Sequence, residues 1–118
     1  MKFQRMTPML RTWQMESSIG FYTDVLGFRC ESSAKGWAAL ARDGATLMLS
    51  SPNQHEGVTA AAFTGSLYIE TVDVDALWER VKDRARICYA PEDFDYGMRE
   101  FGIYDNNGYL IQFGQPKE

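Results

Sequence analysis

Two tight-turn signals, one in each half of the chain, constrain its fold more than any other feature. Asp43-Gly44 lies within WAALARDGATLML, and Asn107-Gly108 lies within FGIYDNNGYLIQF about half the chain later. Asp-Gly and Asn-Gly favour the positive backbone φ angles of two-residue hairpin turns, and the residues around both are typical of strands. Each stretch is therefore predicted to form a β-hairpin, and the chain contains an internal repeat.

The segments that precede the hairpins repeat as well. In each half the pattern predicts a strand, a helix and a further strand: about 6–12, 16–25 and 28–33, then about 66–72, 74–82 (with Asp73 as N-cap) and 86–89. The predicted fold class is α+β, a single domain over residues 1–118 that consists of two βαβββ modules at about 1–52 and 64–118. SSPNQHEG is predicted to link the modules, and APEDFDYG to form a long loop. Because one module leaves a sheet face bare, we expect the two to combine around a cavity.

Composition limits the class of protein. With 45% apolar and 24% charged residues among 118, the chain is typical of one soluble globular domain. A net charge of -4, without a basic stripe, argues against a nucleic-acid partner. No apolar run reaches the ~20 residues of a membrane helix, and the amino terminus does not resemble a secretory signal, so a cytoplasmic protein is expected. Cys30 and Cys88 are predicted to be free, buried thiols.

Several motifs carry a family resemblance that covers nearly the whole chain. They are TPML at Thr7, FYTDVLGF at Phe21, REF at Arg99 and the final hairpin that ends in LIQF at Phe113. In this order they resemble the vicinal oxygen chelate superfamily of glyoxalases, extradiol dioxygenases and bleomycin-resistance proteins. The similarity is greatest to the bleomycin-resistance branch, and it implies a homodimer.

The resemblance also implies where a divalent metal would bind in the enzymes of the superfamily. Their ligands are His, Gln or Glu at four inward positions, which fall here at Thr7, Met48, Ser66 and Gln112. One amide, two hydroxyls and a thioether do not replace the imidazoles and carboxylates that such metals need. The single histidine, His55, lies in the linker and is predicted to be solvated. We therefore expect no metal, no cofactor and no catalytic residue.

Strand alternation predicts which residues face a ligand instead. If Met48 and Gln112 point inward, two-residue turns would place Trp37 and Phe101 on the same faces. The loop PEDFDYG adds Phe94 and Tyr96 beside three carboxylates, which would favour a cationic aromatic guest. The predicted ligand-binding set is Trp37, Met48, Tyr68, Glu70, Phe94, Tyr96, Phe101 and Gln112. In the alternative interpretation these rings fill the core, Glu70 forms an ion pair with Arg11, and the loop carboxylates are merely solvated.

The sequence favours a metal-free protein that binds a small organic molecule. The expected ligand is a hydrophobic or cationic aromatic compound such as an antibiotic, sequestered by burial. A metal-dependent lyase, isomerase or dioxygenase of the glyoxalase type is the first alternative. The second is a regulatory or partner-binding module without a ligand.

Overall fold

The computed structural model describes residues 1–117 and confirms the α+β fold with two βαβββ modules. Eight strands of this part of the chain form two four-stranded sheets, and each module has one helix. The chain divides into two compact units, Met1–Ala61 and Ala62–Glu118. No helix among the described residues is long and apolar enough to cross a membrane.

The elements of the first unit are β1 Met9–Arg11, α1 Met15–Gly20, the π-helical segment Phe21–Val25, β2 Arg29–Ala34, β3 Trp37–Arg42 and β4 Ala45–Ser50. The strands form one sheet with the order β1-β4-β3-β2. Strand β1 pairs parallel with β4, and the other neighbours are antiparallel. Helix α1 continues into a π-helical segment at the point where the Thr23 hydroxyl donates to the Ile19 carbonyl, and the chain turns at Gly27 with φ 73°.

The first hairpin has the predicted two-residue turn. Arg42 pairs with Ala45 and Ala39 with Met48, so Met48 and Trp37 share one face of the sheet. Leu40 and Leu49 on the other face are buried, and α1 packs against β3 and β4 there. The predicted alternation of this hairpin is therefore confirmed.

The elements of the second unit are β5 Leu67–Glu70, α2 Val74–Val81, β6 Arg86–Asp93, β7 Met98–Tyr104 and β8 Leu110–Pro116. The strand order β5-β8-β7-β6 repeats that of the first unit. The carboxylate of Asp73 accepts a hydrogen bond from the backbone N–H of Ala76 at 3.1 Å, which confirms Asp73 as the N-cap of α2. Strand β6 extends to Asp93, so the predicted long loop is reduced to a turn that Gly97, with φ 88°, allows.

The second hairpin differs from the prediction by one residue. Five residues, 105–109, connect its strands, because the buried Asp105 side chain accepts hydrogen bonds from the N–H groups of Asn107 and Tyr109 at 2.8 and 2.9 Å. Gln112 therefore pairs with Gly102 and not with Ile103. In strands, a shift of one residue moves every side chain to the opposite face.

The expected inward position of Phe101 is wrong for this reason. Its side chain is fully buried, with ring centroids 5.3 Å from Trp78 of α2 and 5.2 Å from Phe113. Phe101 belongs to the core between the sheet and α2. The cysteines are free, as expected, but both are exposed and not buried.

Candidate functional site

A buried carboxylate lies on the face of the second sheet that points away from α2, which we call the helix-free face. Because Phe101 faces α2, its neighbour Glu100 faces the other way, together with Gly102 of β7 and Gln112 of β8. Only 2% of Glu100 is exposed. A buried charge is costly unless hydrogen bonds or an opposite charge compensate it.

Three tyrosine hydroxyls donate hydrogen bonds to Glu100. Tyr68 of β5 and Tyr96 of the turn before β7 both donate to Oε1, at 3.0 and 2.7 Å. Tyr89 of β6 donates to Oε2 through a short bond. These four residues, Tyr68, Tyr89, Tyr96 and Glu100, are called the Glu100 cluster below.

Gln112 and Ser66 extend the cluster along the sheet. The amide nitrogen of Gln112 donates to the Tyr89 hydroxyl at 2.9 Å, and it lies 3.5 Å from Oε2 of Glu100. The hydroxyl of Ser66 donates to the amide oxygen of Gln112 at 2.5 Å. Both ends of the Gln112 amide are thus engaged within the protein.

Two glycines make room for the tyrosine rings on this face. A Cβ atom at Gly102 would lie 2.6 Å from a ring carbon of Tyr89, and one at Gly114 would lie 2.0 Å from the Tyr68 hydroxyl. Real Cβ atoms do not approach other atoms so closely. The glycines therefore allow the rings to lie across the strands and to reach Glu100.

The hydrogen bonds fix the charge state of the cluster at neutral pH. Burial alone would raise the pKa of Glu100, but the hydroxyls of Tyr89, Tyr96 and Tyr68 outweigh it and hold that pKa below its usual value. Burial and the bond to Glu100 raise the pKa of Tyr68 to about 12. Burial likewise raises the pKa of Tyr89, and the bond to Glu100 raises that of Tyr96. Glu100 is thus an anion, and the tyrosines are neutral donors that are poor general acids or bases near pH 7.

Aromatic rings form the outer surface of the cluster. The Phe94 ring stacks on Tyr96 with centroids 5.4 Å apart and meets Tyr89 edge to face at 5.8 Å. Tyr96 is 65% exposed and Tyr68 is 46% exposed. A molecule that reaches this face would therefore meet ring surfaces first, with the carboxylate beneath them.

The structure brings together four of the predicted ligand-binding residues. Tyr68, Phe94, Tyr96 and Gln112 surround Glu100, while Glu70 lines an open groove of about 630 Å³ beside Arg99 and Lys117. Trp37 and Met48 lie in the first unit, on the partly exposed face of its sheet. There, Arg11 forms an ion pair with Glu56 of its own unit. The guanidinium that the alternative interpretation paired with Glu70 is thus already engaged.

Sequence reasoning missed Glu100 and Tyr89. It assigned the negative charge beside the rings to the loop acids, yet Asp93 pairs with Arg99 at 3.1 Å, and Glu92 and Asp95 are exposed. The residue pattern contains this signal only when the register of the second hairpin is known. Once Gln112 pairs with Gly102, the alternation of β7 places Glu100 on the same face.

The donor set at the implied metal positions does not fit a catalytic divalent metal. In the second unit, the amide oxygen of Gln112, which would have to bind the metal, accepts a hydrogen bond from the Ser66 hydroxyl. Thr7 and Met48 in the first unit add a hydroxyl and a soft thioether. Residues 1–117 contain no group of three or more His, Cys, Asp or Glu side chains that could hold a metal.

Comparison with known proteins agrees with the fold and the repeat. A family model described as the Glyoxalase/Bleomycin resistance protein/Dioxygenase superfamily matches residues 5–113. The chain belongs to this superfamily. No functionally curated protein matches it at a significant level.

Solved structures of this superfamily resemble the chain over nearly its whole length. A bleomycin-binding protein from bleomycin-producing Streptomyces verticillus, in complex with copper(II)-bleomycin, is 25% identical with a TM-score of 0.73, covering 100% of this chain and 99% of that one. A bleomycin resistance determinant encoded on the transposon Tn5 is 24% identical with a TM-score of 0.78, covering 98% and 100%. These neighbours support the bleomycin-resistance branch.

The same fold also carries enzymes. A lactoylglutathione lyase from Agrobacterium tumefaciens is 16% identical with a TM-score of 0.71, and the alignment covers 95% of this chain and 92% of that one. A sequence identity this low shows only that the two proteins share a fold. The choice between binding and catalysis must therefore come from the residues of the site.

Proposed function

We propose that this protein binds and sequesters a small organic molecule, hydrophobic or cationic and aromatic, such as an antibiotic, without a catalytic metal. The observation that carries the proposal is the state of the Glu100 cluster. The tyrosine hydroxyls of the cluster and the Gln112 amide are engaged in hydrogen bonds within the protein, and aromatic rings form the outer surface. A surface of rings above a satisfied polar network suits stacking on a flat guest better than proton transfer.

Each unit carries its own proposed contact residues. In the second unit they are Tyr68, Glu70, Phe94, Tyr96 and Gln112; in the first they are Trp37 and Met48. Phe101 is omitted because it packs against α2. The mechanism is stoichiometric burial of the ligand, and the similarity in fold to bleomycin-binding proteins supports it.

Calorimetric titration with bleomycin and a panel of aromatic antibiotics tests the proposal. At least one compound should bind at a fixed ratio to the chain, and tryptophan fluorescence should report contact with Trp37. A Trp37→Phe variant should lose the fluorescence response, whereas Trp13→Phe serves as the matched control and should keep it. Absence of binding across the panel would favour a regulatory module without a ligand.

Metal analysis separates binding from the enzymatic alternative. Purified protein dialysed against buffer should retain less than stoichiometric Ni, Zn, Fe or Mn. One equivalent per chain that survives dialysis, and that glyoxalase-type activity depends on, would contradict the proposal.

A further inference from the structure

Among the residues that the structure describes, none is a cationic partner of the carboxylate at the centre of the Glu100 cluster. None of the ion pairs among residues 1–117 includes Glu100, and its partners are three hydroxyls and one amide. Its neighbour Arg99 faces the other side of the sheet and binds Asp75 of α2 at 3.0 Å. The helix-free face thus carries a buried negative charge that hydrogen bonds stabilise and that no positive charge within residues 1–117 neutralises.

The rings above this charge are suited to a cation. Aromatic faces are negative because of the ring quadrupole, and a phenol that donates its proton to a carboxylate gains further electron density. Tyr68, Tyr89 and Tyr96 all donate to Glu100, and Phe94 stacks on Tyr96. The rings and the carboxylate therefore both attract a positively charged molecule at this surface.

We infer that the Glu100 cluster and Phe94 form a subsite for the positively charged aromatic part of the ligand. The occupant is a flat, weakly hydrated cation, such as an N-alkylated heteroaromatic ring, because it can stack on exposed rings and loses little hydration energy. A compact, strongly hydrated ammonium would lose more. This inference rests on the proposed function and narrows its ligand class.

Two probes of equal shape isolate the contribution of charge. Calorimetry with 1-methylquinolinium and 1-methylnaphthalene compares a cation with a neutral isostere of similar area. The cation should bind the full chain about tenfold more tightly, as expected for cation–π contact with Coulomb attraction. A preference for the neutral probe would overturn the inference.

Substitution of the carboxylate tests the assignment to Glu100. Glu100→Gln keeps the shape and removes the charge, so the two probes should then bind within about twofold of each other. The matched control is Glu79→Gln, which removes one exposed charge from α2 on the opposite side of the sheet and should keep the preference. Equal effects of the two variants would show only a general influence of net charge and would refute the subsite.

A second variant covers the case in which Glu100→Gln does not fold. Tyr96 is mostly exposed, so Tyr96→Leu should fold normally while it removes one ring from the cluster. The advantage of the cation should fall below about threefold. An unchanged advantage would contradict the inference.

The outcomes distinguish this inference from the proposed function. If both probes bind equally well to the unmodified chain, the protein binds aromatic guests but the cationic subsite is refuted. If neither probe binds, and the antibiotic panel also fails, the proposed function itself is wrong and the inference fails with it.

Discussion

At the scale of single residues, Glu100 shows how a buried charge can persist without a salt bridge. Three phenol donors converge on its two oxygens, and each donor is itself half-buried or held by a neighbouring ring. Hydrogen bonds to a charged group contribute about 1.5–3 kcal/mol each, roughly twice those between neutral groups. The cluster should therefore stabilise the second unit as well as shape its surface.

Replacement of Glu100 by glutamine should destabilise the protein in a pH-dependent way. The pKa of Glu100 is lower in the folded than in the unfolded chain, so its stabilising effect is complete above the unfolded value of about 4.3. The effect is lost as the pH falls through the lower, folded pKa. Urea unfolding should thus show Glu100→Gln to be less stable by about 1–3 kcal/mol at pH 7, and the difference should shrink in acid.

A matched substitution controls for the loss of a carboxylate as such. Glu79→Gln removes an exposed group of α2, and surface substitutions of this kind usually change the unfolding free energy by less than about 0.5 kcal/mol. If the deficit of Glu100→Gln stayed constant from neutral pH into acid, the hydrogen bonds would not favour the ionised carboxylate as described.

At the scale of elements, one turn decides which residues form the site. The Asp43-Gly44 hairpin follows its sequence signal, and its register was predicted correctly. The Asn107-Gly108 signal suggested the same geometry, but the side chain of Asp105 closes a five-residue connection instead. An Asn-Gly dipeptide does not indicate whether a tight turn or a side-chain cap such as that of Asp105 will form. The one-residue error in register therefore could not be detected from local turn preference alone.

Glycines within strand positions are the second feature that sequence reasoning did not use. Gly102 and Gly114 lie on the same face as Glu100, and the space above them holds the Tyr89 ring and the Tyr68 hydroxyl. Gly within a strand often marks a close approach of another group. With the correct register, the two glycines and the tyrosines would have indicated where the rings lie.

Substitution of Gly102 by alanine should disrupt the cluster through steric overlap. The added methyl would lie 2.6 Å from a ring carbon of Tyr89, so the ring must move away from Glu100. Overpacking of this kind costs about 1–3 kcal/mol of unfolding free energy, measurable by urea denaturation. The control is Gly44→Ala at the first hairpin, where a methyl would meet nothing within 4 Å. Equal stability of the two variants would show that the Tyr89 ring does not lie on Gly102.

At the scale of the whole chain, the repeat explains the fold and not the function. Both units have the same strand order and one helix, and the hydrophobic pattern predicts this because it recurs. The partly exposed faces differ: the first carries Trp37 and Met48, and the second carries the Glu100 cluster. A duplicated scaffold thus leaves each face free to acquire its own side chains.

The oligomeric state implied by the family resemblance is a further prediction for the whole chain. The amino-terminal segment exposes large apolar side chains, among them Phe3 at 89% and Met6 at 92%, and all six residues of Arg29–Ala34 are exposed. Monomeric proteins rarely leave contiguous apolar patches open to water, and an exposed strand edge can pair with another chain. We expect a homodimer, so light scattering should give twice the mass of one chain.

Phe3→Ser with Met6→Ser should shift the mass toward one chain if this segment contributes to the interface, whereas Val58→Ser, at an exposed apolar residue in the linker, should leave it unchanged. A mass of one chain for the unmodified protein at all concentrations would contradict the prediction.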